Sequence, residues 1–201
     1  AGRTGGDAVI IKLSDAFKLQ MGKTPSREIS QYWGGTFSWI SIADINDEKY
    51  ISKTKECITS KGIHDSGIKI VPKDTVIMSF KLSIGKTAIT HSDMYTNEAI
   101  MSFIDKKIYK IDTEYFYYAL SSLNWKNIGN RAVMGTTINK SILSNIEISI
   151  PDIKQQKNIA NIFSKIDSLI NERKQQLSKL DQLVKSRLVG KKTSLQMEVA
   201  A

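Results

Sequence analysis

Two Gly-Lys-Thr tripeptides, Gly22-Lys23-Thr24 and Gly85-Lys86-Thr87, are the first residues here whose types suggest chemistry, because such a lysine can hold a nucleotide phosphate. A phosphate-binding loop also needs a glycine five residues before the glycine of the tripeptide. Those positions hold Phe17 and Phe80, which excludes ATP binding by this motif. Pro151-Asp152 and Glu172-Arg173-Lys174 imitate the string of a metal-dependent nuclease. Both pieces fall on one expected helix, about 30 Å apart at helical rise, too far to share a metal. His64 and His91 come with no ligand set, and the single cysteine, Cys57, allows neither an intramolecular disulfide nor a cysteine-cluster zinc site. There is no Asn-Pro-Pro-aromatic string of an amino-group methyltransferase and no G-x-G-x-x-G, so no catalytic constellation is visible.

What remains is a set of polar, basic loops. Lys23, Thr24, Ser26 and Arg27 form one, Lys61, His64 and Ser66 a second, and Lys81, Ser83 and Lys86 a third. Asn127, Asn130, Arg131, Thr136, Thr137, Asn139 and Lys140 form the fourth. Arg and Lys neutralise phosphates, while Arg, Asn, Ser and Thr also read base edges. These loops are therefore the candidate DNA-binding residues, with ordinary solvated loops as the alternative. A formal net charge of +9 favours a polyanionic partner. Lys and Arg outnumber Asp and Glu by 10 to 5 in residues 151–201, so the excess is shared between the front of the chain and its end.

The elements that must position these loops follow from periodicity. Val9 to Leu13, Phe37 to Ile42, Ile51 to Ile58, Val76 to Phe80, Ala88 to Thr90, Asn97 to Ile104 and Ile146 to Ile150 read as extended. Ser14-Asp15 suggests the cap of a helical turn through Phe17 and Leu19, and Ser60-Lys61-Gly62 reads as a turn. Tyr115, Phe116, Ala119, Leu120 and Leu123 recur at helical spacing behind Asp112 or Thr113 as cap. Many short strands with few helices predict an α+β domain on a twisted, mostly antiparallel sheet over residues 8–150. An apolar share of 41% is enough for a core. Ala1 to Gly6 is glycine-rich and reads as an expression remnant; residues 1–7 and 191–201 are expected to be tails. No apolar run approaches the roughly 18 residues of a membrane span and no signal peptide opens the chain, so a cytoplasmic protein without a membrane partner is expected.

Residues 151–190 carry a different pattern. Ile159, Phe163, Ile166, Ile170, Leu177, Leu180 and Val184 step by fours and threes, with Arg173 and Arg187 at the polar positions of the ladder. Ile162, Leu169, Leu183 and Leu188 widen the stripe. Pro151 and Asp152 suit a helix start and Gly190 a stop, giving a rod of roughly 55 Å that serves as spacer and docking surface. In a parallel pair Arg173 would face its own copy. In an antiparallel pair centred between Asn171 and Glu172, Ile159 lies opposite Val184, Phe163 opposite Leu180, Ile166 opposite Leu177 and Arg173 opposite Ile170. An antiparallel coiled-coil homodimer is therefore expected, with Ile159, Phe163, Ile166, Ile170, Arg173, Leu177, Leu180 and Val184 as its interface.

Several strings share an order and spacing with a known family. They are Gly22-Lys23-Thr24-Pro25, Tyr32-Trp33-Gly34-Gly35, Trp39-Ile40, Lys61-Gly62-Ile63 and Pro72-Lys73-Asp74-Thr75-Val76-Ile77-Met78-Ser79. Ile84-Gly85-Lys86, Thr96-Asn97-Glu98-Ala99, Thr136-Thr137-Ile138-Asn139 and Ile148-Ser149-Ile150-Pro151 follow. The helix opening, Pro151 to Ala160, matches best: the family commonly has Pro, three residues, Glu-Gln, two residues, Ile-Ala, and here the pair is Gln155-Gln156. Together these resemble a specificity (S) subunit of a type I restriction–modification system. The resemblance implies a target recognition domain followed by a conserved spacer helix, with no catalytic activity of its own. It implies double-stranded DNA as partner, and modification subunits that methylate adenine and bind the S-adenosylmethionine; this chain is expected to hold no cofactor. In restriction complexes a motor-nuclease subunit joins. Full-length members carry two recognition domains and two helices, so this chain looks like a half-subunit reading half of a bipartite site. A coiled-coil adaptor whose head binds protein is the alternative.

Overall fold

A computed structural model describes residues 8–46, 48–81, 83–125, 127–128 and 138–199, with 188–199 as backbone alone. The chain divides into two compact units, residues 1–157 and residues 158–201.

Period-two alternation builds the first unit. β1 (Val9–Lys12) pairs antiparallel with β10 (Glu147–Ile150) in a two-stranded sheet. A five-stranded sheet runs in the order β2 (Phe17–Met21), β9 (Ile100–Asp105), β6 (Val76–Ser79), β7 (Thr87–Thr90), β4 (Tyr50–Ile51). A three-stranded sheet has β3 (Trp33–Ile40) between β5 (Glu56–Ile58) and β8 (Tyr95–Thr96). Only β3–β8 and β4–β7 are parallel among these pairs. The α+β class holds, with three sheets among the described residues in place of one.

Ile51, Ile77, Ala88 and Ile100 of the five-stranded sheet join Ile40, Ile45, Val71 and Met94 in one buried cluster. Phe17 and Phe103 instead meet Phe116 of a helix spanning Thr113–Ser121, at ring-centroid distances of 4.1 and 5.4 Å. Asp112 caps that helix, its Oδ1 accepting from the Tyr115 amide at 3.0 Å. Glu114 ties it to β4, accepting from Lys49 Nζ at 2.7 Å and the Tyr50 hydroxyl at 2.9 Å. Burial pushes the Glu114 carboxyl up, but these two donors outweigh it and hold the group below its ordinary range.

Several expectations change in the structure. The helical turn predicted through Phe17 and Leu19 ends earlier: α1 covers Leu13–Ala16, and residues 17–21 alternate as β2, where Phe17 and Leu19 are buried and Lys18 exposed. Ladder pairing with β9 decides this, since a two-residue alternation suits a strand. Ser60-Lys61-Gly62 is the start of α2 (Ser60–Ser66), not a turn. Thr59 Oγ1 accepts from the Gly62 amide at 3.1 Å, and Gly67, with φ of 64°, closes the helix in the left-handed conformation that glycine tolerates. The extended stretch from Ile51 to Ile58 splits into β4 and β5, which belong to different sheets. With α3 as the Thr113–Ser121 helix, α4 is Lys140–Ser144 and α5 is Ile153–Val199.

Gly190 does not end α5, and residues 191–199 are helix, not tail. One interior glycine costs about 1 kcal/mol, too little to stop a helix whose following residues favour it. At 47 residues the helix is roughly 70 Å long. The unit boundary also falls later than 150/151, because Gln156 is integral to the first unit. This fully buried amide accepts from the Asp112 N–H at 2.8 Å and donates to the carbonyls of Lys110 (3.0 Å) and Pro151 (2.8 Å). Asp152 caps the helix, accepting from the amides of Lys154 and Gln155 at 2.9 and 3.1 Å.

Replacing Gln156 with Leu strands one buried N–H and two carbonyls. We expect Gln156→Leu to lower the unfolding free energy of the chain by about 3 kcal/mol, measured by urea denaturation. Gln155→Leu, at the exposed neighbouring position, should change it by less than about 0.5 kcal/mol.

Candidate nucleic-acid interface

Where β2 leaves its sheet, Gly22 presses against β8 so closely that a Cβ there would lie 2.1 Å from the Thr96 carbonyl oxygen. No other residue type fits this approach. It lets the Lys23 amide donate to the same carbonyl at 2.8 Å, and so launches the first basic loop from a fixed point. Two tryptophans then shape the loop: Trp39 Nε1 donates to the Lys23 carbonyl and Trp33 Nε1 to the Ser26 carbonyl, both at 3.1 Å. The Thr24 hydroxyl donates to Glu98, and Lys23 Nζ donates to the carbonyl of Ser66, just beyond α2 residues Lys61 and His64.

These tethers shape a cleft of about 440 Å³ between β2 and the residues after α2. Lys18, Lys23, Lys69 and Lys140 line it. All four are exposed, and among the described residues none forms an ion pair. Among the described residues the single carboxylate on the lining is Glu98, already held by Thr24. Four ammonium groups around one concavity create a positive potential that attracts phosphate oxygens.

The sequence loops are thus only partly brought together. Lys23 and Lys140, from the first and fourth, share the cleft. Ser26 is exposed beside it in the chain and gives its carbonyl to Trp33. Arg27 is engaged elsewhere, with both terminal nitrogens on the Glu56 carboxylate and its guanidinium carbon 3.7 Å from the Trp33 ring centroid. That hydrogen-bonded pairing raises the Arg27 pKa and lowers that of Glu56. Lys61 Nζ and His64 Nδ1 both turn to Asp65, at 3.2 and 2.9 Å, where the Tyr32 hydroxyl also donates at 3.1 Å. Lys81, Ser83 and Lys86 sit at the β6–β7 connection and line no wall of the cleft; Lys81 Nζ lies 5.5 Å from the Phe80 ring centroid. Asn130, Arg131, Thr136 and Thr137 lie outside the described residues. Lys18 and Lys69 were missed by sequence reasoning. Strand alternation at Phe17-Lys18-Leu19 carried the signal for the first; nothing local marked the second.

In the second unit, Ile162, Phe163, Ile166, Leu169, Ile170, Leu177, Leu180, Leu183 and Val184 are each 42–63% exposed, and Arg173 lies along its own helix, donating to Gln176 at 2.7 Å. Among the described residues no His, Cys, Asp and Glu group could hold a metal ion, and no helix is long and apolar enough to cross a membrane.

An α+β unit followed by a long helix is a fold found in solved proteins. Residues 6–180 match the family described as type I restriction modification DNA specificity domain, and the chain belongs to that family. Among curated relatives, it is 29% identical over 187 residues to the type I restriction enzyme MjaIX specificity subunit of Methanocaldococcus jannaschii, covering 90% of this chain and 43% of that protein. It is 26% identical over 186 residues to the HindI specificity subunit of Haemophilus influenzae, covering 89% of this chain and 40% of the relative. The HsdS subunit from Thermoanaerobacter tengcongensis superposes with a TM-score of 0.63 at 16% identity, over 86% of this chain and 40% of that one. A chain from a type I R-M system, studied for complex assembly and conformational transition, gives 0.68 at 16% identity, over 89% and 44%. The chain thus spans less than half the length of these relatives. Membership in a specificity family, as the motifs implied, separates it from the catalytic subunits.

The Asp65 cluster yields a pH prediction. Hydrogen bonds from His64, Lys61 and Tyr32 lower its carboxyl from 3.8 to about 2. A lowered folded-state pKa means that the stabilisation is present above 3.8 and is lost as the pH falls through about 2. Carboxyl-carbon NMR should show Asp65 titrating near that lower value, and the His64→Ala/Lys61→Met variant should move the midpoint up toward 3.8.

Proposed function

We propose that this chain corresponds to one half of a specificity subunit, binding double-stranded DNA through the lysine-lined cleft and recognising one half of a bipartite site. The observation that carries this reading is the cleft itself: four lysines without carboxylate partners among the described residues, in a member of a DNA specificity family. The chemistry belongs to a partner. A modification subunit, recruited here, holds the S-adenosylmethionine and methylates adenine, and a motor-nuclease subunit joins where restriction accompanies modification. The setting is cytoplasmic, where the DNA is.

If each cleft lysine neutralises one phosphate, log Kd against log salt should have a slope magnitude of about 3.6, at about 0.9 per contact. Each Lys→Gln substitution at Lys18, Lys23, Lys69 or Lys140 should remove about 0.9 from that slope. Fluorescence anisotropy with duplex DNA measures both. Salt-insensitive binding would turn the reading toward a protein-binding adaptor.

The apolar stripe of α5 is the second support. Paired antiparallel about Asn171 and Glu172, two copies bury Ile159 against Val184, Phe163 against Leu180 and Ile166 against Leu177, leaving Arg173 beside Ile170 near the two-fold axis. Such a pair is closed and stops at a dimer, one recognition unit joined to each end of the rod. In the Phe163→Cys/Leu180→Cys variant, oxidation should cross-link position 163 of one chain to 180 of another. Efficient 163-to-163 linkage, or a monomer, would defeat this arrangement.

A further inference from the structure

The cleft holds more than lysines: a carboxamide and a thioether residue also line it. Gln20 and Met21 line it, at the end of edge strand β2, and Met21 is 51% exposed. Ile70, next to the cleft residue Lys69, is 46% exposed. A side chain joins the two segments: Gln20 Nε2 donates to the Ile70 carbonyl at 2.8 Å. That bond engages one amide proton and pins the amide. The second Nε2 proton remains for a ligand, and Oε1 accepts no hydrogen bond among the described residues.

Phosphate oxygens only accept, so they would use the N–H of this fixed carboxamide and leave its oxygen idle. A base pair uses both. In the major groove adenine offers an N7 acceptor beside an N6 donor, which a carboxamide matches with one N–H and one oxygen. Its partner thymine offers a C5-methyl group, which gains from contact with an aliphatic side chain. With the cleft lysines on the backbone, a groove edge can reach the amide.

We propose that Gln20 is a base-reading residue of this chain, its carboxamide recognising adenine while Ile70, whose carbonyl holds that amide, takes the thymine methyl of an A·T pair. This rests on the DNA-binding reading above and adds which side chains discriminate among sequences and which base pair they select.

The test is selection of duplexes from a pool with a randomised core by the full-length chain, followed by sequencing and by salt titration on the selected duplex. Wild type should enrich sequences with one fixed A·T pair that depends on Gln20. Gln20→Ala should relax that position, with discrimination falling about 10-fold, while the salt slope is unchanged. Gln20→Glu keeps the size of the side chain but only accepts, so the favoured pair should move from A·T to C·G, read through the cytosine N4 donor. That gain of a new preference cannot come from misfolding. Ile70→Ala should weaken selection for the thymine without altering the slope. If Gln20→Ala and Gln20→Glu select the same sequence as wild type while the lysine variants still reduce the slope, the inference is overturned and DNA binding stands. If wild type retains no duplex in a salt-dependent way, the DNA reading falls and the inference with it. Loss of a protein partner in the Gln20 and Ile70 variants, with DNA selection intact, would assign this surface to that partner and overturn the inference.

Discussion

A buried amide needs every partner it can find, and Gln156 holds three. Its oxygen and nitrogen face the Asp112 amide and the carbonyls of Lys110 and Pro151. No apolar side chain of that size could satisfy those groups, and each would cost free energy if left bare. The helix start, the strand before it and the cap of α3 are thereby bound to one small polar knot. Tyr115 adds to it, its hydroxyl donating to the Ser149 carbonyl at 2.6 Å. The position where this chain departs from the usual Glu-Gln pair is the exposed one, Gln155; the buried partner is kept.

Specific tethers also decide which charges are available. Arg27, the most versatile phosphate ligand of the first loop by residue type, is stacked on Trp33 and held by Glu56. Lys61 and His64 are drawn to Asp65. The lysines of the cleft have no such carboxylate among the described residues, and their gathering around one concavity, rather than the overall charge of +9, picks out this surface. Lys23 belongs with them because its hydrogen-bond acceptor is a neutral carbonyl.

Much of this was legible in the sequence, for local reasons. The spacing from Tyr115 to Leu120 gave α3 and Asp112 its cap; alternation gave β10; the four-three ladder gave the long helix. The fold class followed, as did the family motifs. What stayed hidden depended on residues distant in the chain. Arg27 meets Glu56 across 29 positions, and Gln20 meets Ile70 across 50. Lys18 was obscured because Ser14-Asp15 imitates a helix cap immediately before a strand, and the pairing of β2 with β9 overrules that cue. Gly190 misled for the opposite reason: a lone glycine weakens a helix without ending it.

The pairing of β1 with β10 has a consequence of its own. Val9 sits across from Ile150, so the polypeptide enters and leaves its globular body at adjacent strands. Everything between them is a closed loop hung on a two-stranded clasp. Another sequence of different length can occupy the same clasp, provided it again offers main-chain groups to the buried Gln156 amide. New surface chemistry can then arise by wholesale exchange of the interior as well as by gradual substitution, as long as the replacement keeps that polar knot.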